Sequence, residues 1–490
     1  MGAGIAQVAA VAGHTVQLMD NRPGAADAAI HNIRAQITKL ADKGKLSHER
    51  AAQASANLAA VQQLSELASA GLVIEAIVEN LQAKQGLYAE LEGIVGEDCI
   101  FGTNTSSISV TAIGAALKRP QRLAGLHFFN PAPVMTLVEI VSGLATDPAV
   151  AATLFATATA WGKTAVHAKS TPGFIVNRVA RPYYGEALRL LTEGAADCAT
   201  IDAVMREAGG FRMGPFELMD MIGHDVNYAV TCSVWAAFYS DPRFLPSLIQ
   251  KELLDAGFLG KKSGRGFFDY REGTSKPLPQ TEAPREVPTG ITLCGDSPAA
   301  QALAERMTQA TIPFDRTPSV DGRIAQVNGA VLFVTDGRSA TQRASDTGFA
   351  NTVLVDLALD YRVATRLALT SAAQCAGEAA DAAIALLQAA GVQVSRFADI
   401  PGLAVMRTVA MLANEAADAV NQGVCSVQSA DAAMRLGVNY PQGPLAWADS
   451  IGVPTIRTVL ANLGTSYGED RYRISPLIQH HVFSKRPLHG

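Results

Sequence analysis

Several features that would assign this chain to other protein classes are scarce or absent. No run of about eighteen consecutive apolar residues occurs, and no basic segment precedes an apolar stretch at the N-terminus. The sequence therefore predicts neither a membrane partner nor a secretory leader. The six cysteines show no C-x-x-C spacing and lie at positions 99, 198, 232, 294, 375 and 425. Their scatter indicates a reducing compartment and no structural metal, and we expect a cytoplasmic protein.

An excess of basic residues is also missing. The chain has 40 Lys and Arg against 45 Asp and Glu, a net charge of −5, which gives no support to a nucleic-acid partner. At 490 residues the chain exceeds the size at which a single hydrophobic core keeps growing. Several domains are therefore expected.

The stretch richest in chemical information reads LHFFNPAPVMTLVEIV and predicts two short strands, about 123–129 and 136–141. If these strands fold back on each other about Pro133, His127 lies opposite Glu139, with Cβ atoms ~5 Å apart. Such a carboxylate would hold one ring nitrogen and leave the other free to accept a proton, as in a general base. On these residues alone, a buried pair with a purely structural role is the more common arrangement.

Two further motifs accompany this stretch. GTNTSSI precedes it at 102–108, and TPGFIVNR follows it at 171–178. The three motifs, in this order, resemble the (S)-3-hydroxyacyl-CoA dehydrogenase family, in the form found in bacterial fatty-acid and phenylacetate degradation. The resemblance implies that His127 is the base and Glu139 its partner.

The same resemblance implies the other reaction components. Ser106 and Asn177 would hold the substrate hydroxyl and the thioester carbonyl, and Asn130 is a further substrate-binding candidate. The nicotinamide of NAD would accept a hydride from C3 of a hydroxyacyl-CoA, giving the 3-keto product. Without the resemblance, Ser106 would be interpreted as a helix cap.

The start of the chain resembles part of a dinucleotide-binding fold. An Ala-rich helix ends near Gly13, and the strand HTVQLM after it ends on Asp20. An acidic residue at this point, about twenty positions after a glycine-rich helix start, typically accepts hydrogen bonds from the ribose hydroxyls. Gly2 aligns only with the last glycine of the family's G-x-G-x-x-G turn. Asp20 favours NAD over NADP because a carboxylate repels a 2′-phosphate, although Arg22 nearby weakens that preference.

The family's first strand and most of its phosphate-binding turn should precede this point. A dinucleotide sheet has its first strand at the centre, so its loss exposes the flanks of the strands that begin near His14 and Val73. We therefore expect that Met1 is an internal methionine of the motif. The natural chain would carry roughly a dozen more residues, one strand plus its turn.

Other cofactor candidates follow the next two predicted strands. The apolar run GLVIEAIVEN at 71–80 is typical of a strand buried on both faces, and ligands bind at the carboxyl ends of such strands. Glu79 and Lys84 match the positions that meet the nicotinamide-side ribose and the phosphates in the family, or else form an exposed ion pair at a helix start. The strand at 100–103 brings Asn104 to the same edge.

A group of lysines lies in the polar, helical segment 21–70, at positions 39, 43 and 45. Most such groups are solvated helix faces. In the resembling family this hairpin approaches the coenzyme A nucleotide, so Lys43 is a candidate phosphate contact.

The sequence predicts an α/β protein of five parts. The first is an N-terminally truncated Rossmann-type NAD domain at 1–169, and the second is a helical domain at 170–275. Residues 276–290 contain four prolines and are expected to form an extended linker. An α/β rhythm returns at 291–397, but no G-x-G-x-x-G turn follows its apolar runs. We expect a degenerate α/β module there, without a second nucleotide site.

The last part, 398–490, repeats the helical domain at an offset of 229 residues without a gap. Gly214-Pro215, for example, corresponds to Gly443-Pro444. Asn177 corresponds to Met406, which cannot donate an amide hydrogen bond. The second copy is therefore expected to be structural or to form a homodimer through the helical domains.

Two other functions agree with parts of the sequence. Sugar-acid and other hydroxy-acid dehydrogenases of the same fold share the His–Glu pair but use no coenzyme A. A non-catalytic remnant or assembly subunit is the alternative if the incomplete cofactor motif binds nothing. The two-helical-domain layout resembles the phenylacetate-pathway members that act on 3-hydroxyadipyl-CoA, but no residue in the sequence identifies a contact for a distal carboxylate.

Overall fold

The computed structural model describes residues 1–490, which divide into two compact units. The first unit comprises Met1–Arg178 and Gln422–Val438, and the second comprises Val179–Asn421 and Asn439–Gly490. Each unit therefore contains residues from both halves of the sequence. No helix combines the length and the apolar composition that a membrane crossing requires.

Strands and helices alternate through the first third of the chain. In chain order they are α1 (Gly2–Val11), β1 (Val16–Leu18), α2 (Ala25–Asp42), α3 (His48–Ala56), β2 (Leu58–Ala60), β3 (Leu72–Glu75), α4 (Leu81–Glu92), β4 (Ile100–Thr103), α5 (Val110–Gly114), β5 (Leu123–Phe128), β6 (Leu137–Ser142), α6 (Pro148–Ala160), β7 (Thr164–Lys169) and α7 (Val176–Val179).

The remaining elements are two groups of helices on either side of a group of strands. They are α8 (Arg181–Thr192), α9 (Cys198–Glu207), α10 (Pro215–Ile222), α11 (His224–Ala237), α12 (Leu248–Asp255), β8 (Thr292–Cys294), α13 (Pro298–Gln309), β9 (Asp315–Thr317), β10 (Arg323–Val327), β11 (Ala330–Val334), α14 (Ala340–Thr347), β12 (Thr352–Val355), β13 (Arg366–Ser371), α15 (Gly377–Ala389), β14 (Gln393–Arg396), α16 (Val405–Asn421), α17 (Val427–Gly437), α18 (Pro444–Ile451), α19 (Val453–Tyr467) and α20 (Pro476–Ser484).

The larger sheet of the first unit has five strands in the order β3-β4-β5-β6-β7. Strands β5 and β6 are antiparallel, whereas the other neighbouring pairs are parallel. His127 on β5 lies opposite Glu139 on β6, so the register predicted from the sequence is confirmed.

Strands β1 and β2 form a separate parallel pair in the same unit. Strands β1 and β3 therefore each have one edge without a partner strand. The sequence predicts full burial of the apolar run at 71–80, but strand β3 is shorter, and Leu72, Val73 and Ile74 are only half-buried. The physical reason is that a neighbouring strand covers β3 on one flank alone.

Helix α1 packs against both sheets of the first unit. Ile5 joins the apolar core of the five-stranded sheet, whereas Ala6 and Ala10 join the core formed with α2 and α3. A Cβ atom added to Gly4 would lie 3.1 Å from Pro133 Cδ. The first turn of α1 therefore lies against the loop between β5 and β6, and a larger side chain at Gly4 would separate them.

The second unit contains a seven-stranded sheet in the order β14-β13-β12-β11-β10-β8-β9. Its β11–β12, β12–β13 and β13–β14 pairs are parallel, antiparallel and parallel, which is the pattern of β4 to β7. Residues 276–290, between α12 and β8, form neither helix nor strand.

The 229-residue offset relates this sheet to the first one, which the sequence analysis did not detect. Leu123 and Thr352 begin β5 and β12, and Thr164 and Gln393 begin β7 and β14. The helices between them, α6 and α15, correspond along their whole length at the same offset. The degenerate module and the helical segment after it thus have the same order of strands and helices as the first half, although few side chains in the sheets are identical.

Equivalent helices of the two halves pack on equivalent strands. Helix α9 packs against β13 in the second unit, and α17, its counterpart, packs against β6 and β7 in the first. A Cβ atom added to Gly437, at the end of α17, would lie 2.7 Å from Leu137 Cδ2 and 3.0 Å from Val176 Cγ2. The second helical segment therefore supports the strand that carries Glu139.

Candidate active site

The centre of the site is the pair formed by His127 and Glu139. His127 Nδ1 lies 2.6 Å from Glu139 Oε2, and the two residues are 5% and 0% exposed. A carboxylate can only accept at this contact, so the imidazole carries its proton on Nδ1 and presents Nε2 as the basic nitrogen. The geometry therefore matches the tautomer that a general base requires.

Glu139 is held in place by backbone groups as well. Its Oε1 accepts hydrogen bonds from the N–H groups of Ile175 and Val176, both at 3.0 Å, where α7 begins. Two first-turn N–H groups that have no partner within the helix are satisfied in this way. The carboxylate thus has three fixed partners, and its orientation does not depend on solvent.

Two aromatic rings restrict the imidazole from the sides. Phe129 and Phe174 have ring centroids 4.5 Å and 5.8 Å from that of His127. Phe174 has a φ of 49°, a left-handed conformation that is uncommon for residues other than glycine. This turn directs the next two backbone N–H groups to Glu139, so the strained residue lies directly at the site.

Ser106 and Asn177 also lie together in the structure. The side-chain amide of Asn177 donates to the backbone oxygen of Ser106 at 3.3 Å, and both residues are half-buried. The two residues are therefore neighbours, and both are partly accessible to solvent.

Glu79 organises the loop that carries Ser106. Its Oε1 accepts from Thr105 Oγ1 at 2.7 Å and from the N–H groups of Ser106 and Ser107 at 2.8 and 3.0 Å. Burial raises the pKa of Glu79, but these hydrogen bonds and the charge of Lys84 outweigh it and lower the pKa to about 2. Glu79 is therefore ionised at neutral pH and positions Ser106.

Lys84 forms the ion pair with Glu79 that the sequence offered as an alternative, but it is buried rather than exposed, and neither its second partner, Glu75, nor the partner of Asn104 was anticipated. The ammonium group of Lys84 is 1% exposed and lies 2.5 Å from Glu75 Oε1 and 3.3 Å from Glu79 Oε2. Asn104 Oδ1 accepts from the N–H of Phe128 at 2.8 Å, which leaves its NH₂ group for a ligand. In this structure Lys84 balances two carboxylates, and Asn104 joins the end of β4 to the strand of His127.

The nucleotide-binding candidates lie at the ends of β1 and α1. Asp20 follows β1, and its carboxylate forms two hydrogen bonds with the Arg22 guanidinium, at 3.1 and 3.2 Å. The hydrogen bond from Arg22 lowers the pKa of Asp20. Gly2 is the first residue of α1, whose first turn has no acidic residue and no side-chain cap. The backbone N–H groups of the first turn of α1 are thus available to a phosphate group, such as those of a dinucleotide.

Two other candidates are exposed residues, one after a strand and one after a helix. Asn130, in the loop after β5, is exposed, and so is Lys43, which follows α2. Neither side chain forms a hydrogen bond or an ion pair in the structure, so both are free to meet a ligand.

One residue that supports the site was missed by the sequence analysis. Lys163 is 9% exposed, and its ammonium donates to the backbone oxygens of Ala132 and Met135 at 2.6 and 2.8 Å. Burial lowers the pKa of Lys163. It holds the loop between His127 and Glu139, but backbone carbonyls some thirty residues earlier leave no mark in the sequence.

The second sheet has a different set of residues at the corresponding positions. Asp356 corresponds to His127, and Ala368 corresponds to Glu139. The Asp356 carboxylate accepts from the N–H groups of Ala404 and Val405, the counterparts of the two groups that Glu139 binds. The N–H groups at the start of α16 are therefore bound by a carboxylate at the end of β12, the counterpart of β5, and not by one on the counterpart of β6. No imidazole is present at this position to act as a base.

Comparison with protein families agrees with this geometry. The model for the 3-hydroxyacyl-CoA dehydrogenase NAD-binding domain matches residues 1–171, and that for the C-terminal domain matches residues 173–270 and 402–487. The model for the 3-hydroxybutyryl-CoA dehydrogenase reduced Rossmann-fold domain matches residues 332–401. The chain belongs to the 3-hydroxyacyl-CoA dehydrogenase family.

Within that family it is an NAD-dependent 3-hydroxyacyl-CoA dehydrogenase, which sets aside both the sugar-acid dehydrogenase and the non-catalytic remnant. It is 45% identical to 3-hydroxyadipyl-CoA dehydrogenase of Escherichia coli over 98% of this chain and 94% of that protein. A probable 3-hydroxybutyryl-CoA dehydrogenase of Bacillus subtilis is 42% identical, over 56% of this chain and 96% of that protein. The crystal structure of 3-hydroxybutyryl-CoA dehydrogenase from Escherichia coli has a TM-score of 0.90 at 43% identity, covering 99% and 96% of the two chains.

Proposed function

We propose that His127 is the general base of this dehydrogenase and that Glu139 holds it in the reactive tautomer. The observation that carries the proposal is the 2.6 Å contact between His127 Nδ1 and Glu139 Oε2. Nε2 takes the proton from the 3-hydroxyl of the substrate, and the Glu139 carboxylate stabilises the resulting imidazolium. Burial of both side chains strengthens this electrostatic interaction.

Ser106 and Asn177 orient the substrate for this proton transfer. The Ser106 hydroxyl and the Asn177 amide are accessible and lie in adjacent segments joined by a hydrogen bond. They hold the 3-hydroxyl and the thioester carbonyl, so the reacting C–H bond keeps one direction. Asn130, exposed in the loop after His127, is a further contact to the acyl chain, and Lys43 meets a phosphate of coenzyme A.

NAD, when bound, supplies the hydride acceptor. The N-terminal amides of α1 at Gly2 hold its pyrophosphate, and Asp20 accepts from a ribose hydroxyl. Glu79 and the NH₂ group of Asn104 line the nicotinamide side of the same sheet edge. Lys84 acts indirectly, because its charge keeps Glu79 in place.

The acyl chain of the substrate is proposed to be that of 3-hydroxyadipyl-CoA, in phenylacetate catabolism. The support is the Escherichia coli relative of that name, which matches nearly the whole chain. Other relatives are named as dehydrogenases of 3-hydroxybutyryl-CoA, which has a shorter acyl chain without a second carboxylate. Association into a homodimer through the helical domains stays a prediction.

A substrate panel tests this proposal. We expect the wild-type protein to reduce NAD⁺ with 3-hydroxyadipyl-CoA at a kcat/KM at least tenfold above that with 3-hydroxybutyryl-CoA, as measured by NADH absorbance. A free sugar acid serves as the control and should give no turnover. Equal kcat/KM values for the two thioesters would contradict the dicarboxylic preference but not the dehydrogenase activity.

We further propose that one more strand, followed by a glycine-rich turn, pairs between β1 and β3. The support is the pair of unpartnered edges on β1 and β3, together with helix α1, which packs on the cores of both sheets. Buried backbone groups need hydrogen-bond partners, and a strand at this position would supply them.

Two versions of the protein test the additional strand, one that begins at Met1 and one extended upstream in the same reading frame. The extended version should unfold cooperatively at a clearly higher urea concentration and bind NADH more tightly, as measured by fluorescence titration. If the version that begins at Met1 equals it in both measurements, no strand is needed there and the proposal is wrong.

A further inference from the structure

One carboxylate oxygen of the first unit has more hydrogen-bond donors around it than it can accept. Glu79 Oε1 lies 2.7 Å from Thr105 Oγ1, 2.8 and 3.0 Å from the backbone nitrogens of Ser106 and Ser107, and 3.2 and 3.1 Å from the hydroxyl oxygens of these two serines. Each oxygen of an ionised carboxylate has about two lone pairs. The second oxygen, Oε2, faces the ammonium group of Lys84. The donors therefore compete for Oε1, and the donors that lose this competition are free to bind elsewhere.

The hydroxyl of Thr105 is the side-chain donor that is held most firmly. It is the nearest of the three hydroxyls to Glu79 Oε1, and Thr105 is 0% exposed. Its oxygen also accepts from the N–H of Ile108 at 3.0 Å. A hydroxyl has one proton to donate, and here neither solvent nor another acceptor competes for it. The proton of Thr105 therefore stays directed at Glu79.

The backbone of Thr105 is fixed as well. Its N–H donates to Thr103 Oγ1 at 3.3 Å, and the Thr103 hydroxyl in turn donates to Glu75 Oε2 at 2.8 Å. Glu75 forms a buried ion pair with Lys84. Thr105 is thus anchored to the end of β4, and its hydroxyl cannot move away from Glu79 without breaking this chain of hydrogen bonds.

Ser106 and Ser107 are in the opposite situation. Both residues are half-buried, and their hydroxyls make the longest of the contacts to Glu79 Oε1. Hydroxyl groups rotate, whereas the backbone N–H groups of the same two residues are fixed by the loop. The two serine hydroxyls are therefore the donors that can leave Glu79 when a ligand offers another acceptor.

The charge of Glu79 makes this competition matter. Burial raises the pKa of Glu79, but the hydrogen bond from Thr105 leads the contributions that lower the pKa to about 2. Glu79 is therefore an anion at neutral pH. A hydroxyl that donates to a carboxylate forms a strong, charge-assisted hydrogen bond. Without a competing donor on Oε1, Glu79 would hold the Ser106 hydroxyl and withhold it from a substrate.

The second half of the chain contains a counterpart of this loop without the carboxylate. The pairing registers of β4 with β5 and of β11 with β12 place Thr335 at the position of Thr105, an offset of 230 residues. The next helix begins with a serine cap in both halves, Ser109 and Ser339. Thr335 is 2% exposed, and its Oγ1 accepts from the N–H of Gly337 at 3.4 Å. Thr335 is thus a buried threonine of the same loop that donates to no carboxylate.

We propose that Thr105 is a positioning residue whose hydroxyl occupies Glu79 and so leaves the hydroxyl of Ser106 free to bind the substrate. The inference rests on the proposed function, in which Ser106 orients the hydroxyacyl group. It adds a residue that contacts neither substrate nor cofactor and acts through its neighbour in the chain.

A double-mutant cycle of Thr105 and Ser106 tests this role, with kcat/KM measured on the (S)-3-hydroxyacyl-CoA that the wild type oxidises fastest. Thr105→Val should lower kcat/KM by about 10-fold, because the Ser106 hydroxyl then remains on Glu79. Ser106→Ala should lower it by about 10- to 100-fold. The double variant should be no slower than Ser106→Ala alone, since the hydroxyl through which Thr105 acts is already absent.

Two further variants separate this role from a general effect on folding. Thr105→Ser keeps the hydroxyl and should recover most of the activity that Thr105→Val loses. Thr335→Val is the matched control, because it makes the same change at a buried position without a carboxylate partner, and it should leave kcat/KM unchanged. Urea unfolding of every variant shows which of them are folded. If Thr105→Val does not fold, Thr105→Ala takes its place in the cycle, since it also lacks the hydroxyl.

The cycle also has outcomes that contradict the inference. If the losses of Thr105→Val and Ser106→Ala multiply in the double variant, Thr105 supports the loop without acting through Ser106, and the assignment is overturned. Unchanged kcat/KM in Thr105→Val, or an equal loss in Thr105→Ser, overturns it as well. Wild-type turnover in Ser106→Ala would instead refute the proposed role of Ser106, on which the inference depends.

Discussion

Replacing His127 by glutamine is expected to lower kcat by roughly 10²–10⁴-fold, the usual contribution of a general base. Glutamine can still form a hydrogen bond to Glu139, but its amide cannot accept a proton at neutral pH. The binding of NADH should change little, because His127 belongs to neither nucleotide-binding element, α1 or β1. Steady-state kinetics with 3-hydroxyadipyl-CoA and a fluorescence titration with NADH measure the two effects separately.

Glu139→Gln is the companion variant. Its neutral amide still accepts from the N–H groups of Ile175 and Val176, but it no longer stabilises an imidazolium. We expect a loss in kcat of roughly a hundredfold or more, with a urea midpoint close to that of the wild type. Near-normal turnover in His127→Gln would remove the central claim about the mechanism.

The second large effect is expected at Asn177, for which the repeat supplies an internal control. Asn177→Ala should lower kcat by about 10²-fold, because it removes a positioned hydrogen bond at the reacting centre. Met406→Ala, at the corresponding position, should leave kcat unchanged. Met406 is 2% exposed, so its truncation should instead lower the free energy of unfolding by about 2–5 kcal/mol.

Kinetics and urea unfolding of both variants decide between these expectations. Similar losses of kcat at Asn177 and Met406 would mean that both helical segments line a reacting centre. The assignment of Asp356 to a structural position would then be wrong as well.

The arrangement of His127 and Glu139 was predictable because it depends on local geometry. If two strands fold back on each other about Pro133, residues equally far from it in the sequence face one another, and His127 and Glu139 are each six residues away. The reduced second module was predictable for a similar reason, since the glycine-rich turn of a nucleotide site is a continuous motif and none is present after 291.

The repeat was predictable only in its helical part. The helices keep glycine and proline at turns and helix starts, and these residues remain recognisable after other side chains change. In the sheets the strands need only apolar side chains, so the substitution of Asp356 for His127 and Ala368 for Glu139 hides the relationship. Strand boundaries at the same 229-residue offset revealed it.

By itself, the sequence determined the family, the cofactor class, the His–Glu pair and the helical duplication, since each depends on residues close together in the chain or on repeated turns. Only the tertiary structure decided which charges are buried and what they meet. Lys84 lies between two carboxylates, and Lys163 binds backbone carbonyls. The physical reason is that a charge is defined by its surroundings, and those come from distant segments and from backbone groups that every sequence possesses.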